Sequence, residues 1–261
     1  MKTQPRKRFG QHFLHDKGVI DHIVATLAPR PEEHLIEIGP GQGALTVPVL
    51  RRTKQLEAVE FDRDLIPVLS ERAKAAGDLT IYSADVLSFD FASVKKDERM
   101  LRVFGNLPYN ISSPLIFHLL DYANIISDML FMLQKEMAER LAATPGEHNG
   151  RLSIMVQYHC ETNVLFNVPP SAFYPPPEVQ SSIVQLVPYR ECPYPVKDHA
   201  LFATVVKQAF GQRRKTLRNS LRTLVNDEVW SRTTIRPNLR PEELSVKEFV
   251  EISNAVSQSK E

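Results

Sequence analysis

The run Leu35-Ile36-Glu37-Ile38-Gly39-Pro40-Gly41-Gln42-Gly43-Ala44 sets the architecture of the first 190 residues. Its first four residues read as a short strand, and the glycines that follow make a tight turn. A helical pattern then runs from Ala44 to Arg51, with Pro48 near its first turn, where a missing N–H is tolerated. Glycines between a strand and a helix let the backbone approach a ligand closely, beside the N–H groups of the helix start. With Ala44 the turn also satisfies the dinucleotide pattern G-x-G-x-x-G/A, so taken alone it leaves several nucleotide-like ligands open.

Outward from this turn, strand-like and helix-like patterns alternate. Ala58–Phe61, Leu79–Tyr82, Arg102–Phe104 and Met129–Leu133 read as further strands. Asp64–Ala76 carries apolar residues at helical spacing. Ser113 reads as an N-cap with Pro114 at the first helical position, followed by Leu115–Leu120. A helix over Leu152–Cys160 and strands over Val164–Val168 and Ser182–Val187 complete the series. This alternation predicts an α/β fold, a Rossmann-like seven-stranded and mainly parallel sheet. Beyond Pro188, Pro193 and Pro195 the pattern is helical over Leu201–Phe210, Lys215–Val225 and Val246–Val256. The expected domains are therefore 1–190 and a small all-helical 191–261.

Composition narrows the class. The chain has 261 residues, 43% hydrophobic and 24% charged, with a formal net charge of +1, which suits an ordinary globular protein. No apolar run reaches the ~18 residues of a membrane span, and Gln11-His12 stand where a signal peptide needs an apolar core; a cytoplasmic, monomeric protein without a membrane partner is expected. Cys160 and Cys192 match neither a disulfide framework nor a zinc spacing, so no metal is expected. From His199 to Asn226 there is no acid, while Lys207, Arg213, Arg214, Lys215, Arg218 and Arg222 supply six positive charges. Such a local run can bind a phosphate backbone in a nearly neutral protein. Arg213, Arg214, Lys215 and Arg218 are the candidate contacts.

The chemistry is legible at the strand ends. Glu60 closes the second strand, where a carboxylate can accept both ribose hydroxyl protons. Asp85, past the third, can accept from an adenine amino group. With Glu37 these acids suit the cationic sulfonium and ammonium of S-adenosylmethionine better than a pyrophosphate. Asn106-Leu107-Pro108-Tyr109 follows the fourth strand directly. An exocyclic adenine nitrogen is a poor nucleophile because its lone pair is delocalised. Two carbonyl acceptors, the Asn106 side chain and the Leu107 main chain, can bind its N–H groups and stabilise the positive charge that develops during methylation. Tyr109 offers a stacking face for a base drawn out of its stack. The stiff loop Pro169–Pro177 offers Phe173 as a second wall, although Phe173 read without any family is a core residue.

Taken together, these motifs resemble the ribosomal RNA adenine N6-dimethyltransferases of the KsgA type. The resemblance is carried by Arg8-Phe9-Gly10-Gln11-His12-Phe13-Leu14, the Gly39 turn, Glu60, Asp85, Asn106–Ser112, the Phe173 loop and Phe210–Lys215, and covers nearly the whole chain. It implies two methyl groups transferred to each of two adjacent adenosines in the 3′-terminal hairpin of 16S rRNA in the small ribosomal subunit, with a late role in subunit assembly. It also implies that His12 and Leu14 close over S-adenosylmethionine with Gly39, Gly41, Glu60, Asp85 and Asn106; His12 stands where many relatives have Asn. The competing classes are a large-subunit RNA methyltransferase, a DNA adenine methyltransferase, a non-enzymatic assembly factor and, more distantly, an NAD oxidoreductase.

Overall fold

The computed structural model describes residues 11–146, 148–212 and 214–259. The chain forms two compact units. One comprises the residues up to Ala138 together with Asn163–Pro188, and the other comprises Glu139–Thr162 with Tyr189–Glu261. The second unit therefore takes in a segment from the middle of the chain, which the contiguous division expected from the sequence does not contain.

The first unit opens with β1 (Phe13–Leu14), α1 (Lys17–Leu27), β2 (His34–Ile38), α2 (Thr46–Thr53), β3 (Gln55–Glu60), α3 (Ile66–Ala73) and β4 (Asp78–Ser83). It continues through β5 (Leu101–Asn106), α4 (Ser112–Leu120), β6 (Ile126–Gln134) and the first half of α5 (Lys135–Leu141), within which the chain passes into the second unit. After α6 (Arg151–His159), which belongs to the second unit, the chain returns to the first within β7 (Cys160–Val168) and goes on through β8 (Phe173–Tyr174) and β9 (Ser181–Pro188). The main sheet has seven strands in the order β4-β3-β2-β5-β6-β9-β7. β4, β3, β2, β5 and β6 pair in parallel, and β9 runs antiparallel to β6. β2 sits among these strands with every residue buried, the near-continuous apolar character of a central parallel strand.

The strand order reverses between β2 and β5. Ligands of open α/β sheets bind in the crevice at such a reversal, outside the carboxyl ends of the strands. The glycine turn follows β2 and the Asn106 tetrapeptide follows β5, so both are delivered to that crevice. The approach there is close. A Cβ added at Gly105 would lie 2.3 Å from the Ile38 carbonyl oxygen, so only glycine lets β5 run this near to β2.

Local differences from the expected elements have local causes. α4 starts at Ser112, so Ser113 lies inside the helix rather than capping it; Ser112 Oγ instead donates to the Pro108 carbonyl at 3.0 Å, holding the tetrapeptide against the helix start. α1 is an additional helix, capped by Asp16, whose side chain accepts from Val19 N. β1 pairs antiparallel with β8, Phe13 opposite Tyr174 and Leu14 opposite Phe173.

The second unit is helical: α6, α7 (His199–Ala209), α8 (Leu217–Ser220), α9 (Asp227–Ser231) and α10 (Val246–Gln258). Its core packs Tyr158, Phe202, Val206, Trp230 and Phe249. The helix expected over Lys215–Val225 is regular only in α8. Leu217, Leu221 and Val225 are nevertheless all buried at helical spacing. Apolar periodicity reports which side faces the core, and a segment of turns can satisfy it as well as a helix.

Candidate active site

A cavity of about 1550 Å³ opens at the sheet reversal. Its lining includes His12, Leu14, Glu37, the glycine turn, Glu60, Asp85 and Asn106–Tyr109. Of the expected cofactor and catalytic residues, the structure brings all but Phe173 to this cavity. Phe173 is corrected: it is 2% exposed and packs in the core with Leu14, Val168 and Ala172. Its neighbour Tyr174, 65% exposed, lines the cavity with Pro175. Adjacent residues of an extended strand point to opposite sides, and the pairing of Leu14 with Phe173 turns Phe173 inward.

The glycine turn is held by an acid. Glu60, 5% exposed, accepts from Gly41 N at 3.0 Å and from Asp62 N at 2.7 Å. Burial raises its carboxyl above the ordinary value, and the N–H groups of Asp62 and Gly41 pull the other way. The Gly41 N–H, a donor that could serve a pyrophosphate, thus already faces a carboxylate. Gly41 has φ +58°, and a Cβ there would meet the Phe13 ring at 3.5 Å. Glu37, 2% exposed, has one carboxylate oxygen with no hydrogen-bond partner. Asp85 is exposed and caps the turn behind it through Leu87 N at 3.0 Å. Four acids, Glu37, Glu60, Asp62 and Asp85, line the cavity against two bases, Lys17 and Arg72, and the Gly41 N–H is already bound by Glu60, an arrangement that fits a cationic, phosphate-free ligand better than a dinucleotide. S-adenosylmethionine is such a ligand.

The tetrapeptide is pinned on several sides. Asn106 Nδ2 donates to the His12 carbonyl at 3.1 Å. This orients the amide and turns its Oδ1 acceptor away from that bond. Leu107 N donates to the Met132 carbonyl at 3.2 Å. The Tyr109 hydroxyl lies 3.0 Å from the Ser181 hydroxyl on β9, and burial raises the Tyr109 phenol above its ordinary value. The sequence alone assigns no site role to Ser181, Gln11 or Phe61. Gln11 Nε2 donates to Asp62 at 3.1 Å. Phe61 lines the cavity at 59% exposure; an aromatic one residue past a strand-end acid was the available signal.

In the second unit Arg214 and Lys215 are exposed. Arg218 pairs with Asp227 at 2.8 Å, so its charge is shared. Arg213 lies outside the described residues.

Comparison with known proteins follows the same lines. The family described as Ribosomal RNA adenine dimethylase matches residues 2–258. The chain is 54% identical over 254 residues to Ribosomal RNA small subunit methyltransferase A of Pseudomonas syringae pv. syringae (strain B728a), covering 97% of this chain and 95% of that protein. It is 54% identical over 261 residues to the protein of the same name from Chromohalobacter salexigens, covering 98% and 93%. Among solved structures it resembles a dimethyladenosine transferase from Plasmodium falciparum, with TM-score 0.75 and 24% identity over 92% of this chain and 96% of that one. The 23S rRNA methyltransferase ErmE gives TM-score 0.73 and 22% identity over 94% and 100%. At those identities the structural likeness is one of fold.

Proposed function

The chain belongs to the ribosomal RNA adenine dimethylase family, and from that premise we propose that it dimethylates N6 of two adjacent adenosines in the 3′-terminal hairpin of 16S rRNA. S-adenosylmethionine supplies the electrophilic methyl group. His12, Leu14, Gly39, Gly41, Glu60, Asp85 and Asn106 are the residues that would hold it. Small-subunit rRNA is favoured over large-subunit RNA by the relatives, named for the small subunit at 54% identity.

The observation that carries the mechanism is the pinned Asn106 amide. With its N–H group bound to the His12 carbonyl, its carbonyl is the group left to receive the target amine. The Leu107 main-chain carbonyl is the natural second acceptor. Together they favour a pyramidal nitrogen with its lone pair aimed at the methyl donor, and their dipoles are in place before positive charge develops. The Tyr109 ring, tied by Ser181, holds the base plane by stacking. The methylated ammonium is acidic and gives its proton to water, so a strong general base is not required.

The exposed Arg214 and Lys215 support RNA contact by the second unit, and with it a place late in small-subunit assembly. A monomer in the cytoplasm, where small subunits are assembled, completes the reading. The test is incubation with labelled S-adenosylmethionine and small subunits from cells lacking the endogenous activity, followed by nucleoside analysis. N6-dimethyladenosine in 16S rRNA is the expected product, and label only in large-subunit RNA or DNA would move the substrate. Asn106→Ala is expected to lower kcat by about 10²–10³-fold, the cost of one preorganised polar group, while subunit binding persists.

A further inference from the structure

We propose that Glu37 holds a proton while the cavity is empty and gives it up to solvent when the cationic cofactor enters, so that cofactor binding is coupled to proton release and the cavity selects for a charged ligand. The inference rests on the methyltransferase reading above. Glu37 stands on β2, between Ala58 of β3 and Phe104 of β5. It is 2% exposed and still lines the cavity.

One of its two carboxyl oxygens is buried without a hydrogen-bond partner. A carboxylate shut away from water needs donors at its oxygens or a cation beside it. The contrast with Glu60 is direct. Glu60 accepts N–H groups from Gly41 and Asp62, so it is the member of the two equipped to carry charge, and its charge disfavours a second one at Glu37. No base offsets this. β3 and the turn after it supply Glu60 and Asp62, α2 supplies the buried Thr46 hydroxyl, and β5 ends in the neutral Asn106. Across the cavity stand Asp85, the imidazoles of His12 and His15, the phenols of Tyr109 and Tyr174, and the bases Lys17 and Arg72. Arg72 donates to the Gln42 carbonyl at 2.7 Å, and Lys17 is exposed at the start of α1. Burial, with Glu60 adding to it and Thr46 opposing it, pushes the Glu37 carboxyl up to about 8, in agreement with these surroundings. A cation brought within ~4–6 Å reverses the balance and favours the ionised carboxyl. The negative charge at Glu37 is thus formed only when the ligand carries a positive one, and an uncharged nucleoside leaves the proton in place.

The test is calorimetry of S-adenosylmethionine binding to wild type and Glu37→Gln near pH 6.5, in two buffers of different protonation enthalpy. There the cofactor ammonium, with an ordinary value of ~8, is still charged. Wild type is expected to release about one proton more than Glu37→Gln, and its affinity to rise by up to about tenfold per pH unit between roughly 5.5 and 7 relative to the variant. His12 and His15 are present in both proteins, so their part cancels in the difference. Infrared difference spectra of wild type give a second readout that needs no variant: a carboxylic-acid carbonyl band is expected to disappear on adding the cofactor. Tight binding with equal proton counts in the two proteins, or with the acid band retained, would overturn the proposal and leave the methyltransferase reading standing. Absence of S-adenosylmethionine binding by wild type would instead refute that reading, and the proposal with it.

Discussion

Glu37 shows how one buried group connects stability to function. It is 2% exposed on a central strand, and burial, with the neighbouring Glu60 adding to it, pushes its carboxyl from 4.5 up to about 8. The unfolded chain releases this proton near the ordinary value, whereas the fold retains it. Between about 4.5 and about 8 the unfolded state binds fewer protons, so the contribution of Glu37 lowers stability as pH rises through that window. Glu37→Gln removes the titration with little change of shape. In the ligand-free protein its Tm is expected to gain on wild type as pH goes from 5 to 8; parallel curves would show that Glu37 is not the proton holder. At Gly105 the argument is steric. The clash is with the Ile38 main chain, which cannot rotate away. Gly105→Ala is expected to cost about 2 kcal/mol or more, read by urea denaturation, and to weaken cofactor binding by spreading β2 from β5.

Among the elements, Arg102 ties three together. Its guanidinium donates to Asp128 on β6, to Glu33 before β2, and to the carbonyl of Leu27, the last residue of α1. The two carboxylates hold the guanidinium charged despite the opposing effect of burial. Arg102→Ala leaves two partly buried acids and a helix-end carbonyl without this donor. A loss of about 3 kcal/mol is expected, measured as a lower urea midpoint at unchanged m-value. A change under ~1 kcal/mol would mean that water replaces the guanidinium. The missed helix α1 belongs to this scale as well. Asp16 at its start and Ile20, Ile23, Val24 and Leu27 at helical spacing were readable signals, whereas the join of its end to β5 and β6 through Arg102 was not, because it spans 75 residues of chain.

For the whole molecule, two compact units imply that RNA binding and chemistry can be altered separately. Replacing Arg213, Arg214 and Lys215 together by Ala is expected to weaken RNA binding and to flatten its dependence on salt, by about one unit of slope for each phosphate that is no longer neutralised. Cofactor affinity should be retained. An unchanged salt slope would remove these residues from the RNA interface.

Much of this protein is local and can be read from the chain. Alternating strands and helices, the glycine turn, the acids at successive strand ends and the Asn106 tetrapeptide each depend on neighbours a few residues away. Periodicity and turn chemistry therefore expose them, and the sheet then carries them to one crevice. Other features depend on which distant segment lies opposite. Phe173 and Tyr174 differ by a single step in a strand of two residues, and a register set by Leu14 sends one to the core and the other to the cavity. The His12 ring meets Tyr109 from a remote stretch of sequence, and Glu139–Thr162 joins helices that begin beyond Tyr189. Such pairings arise from packing between segments far apart in the chain, which no local pattern encodes.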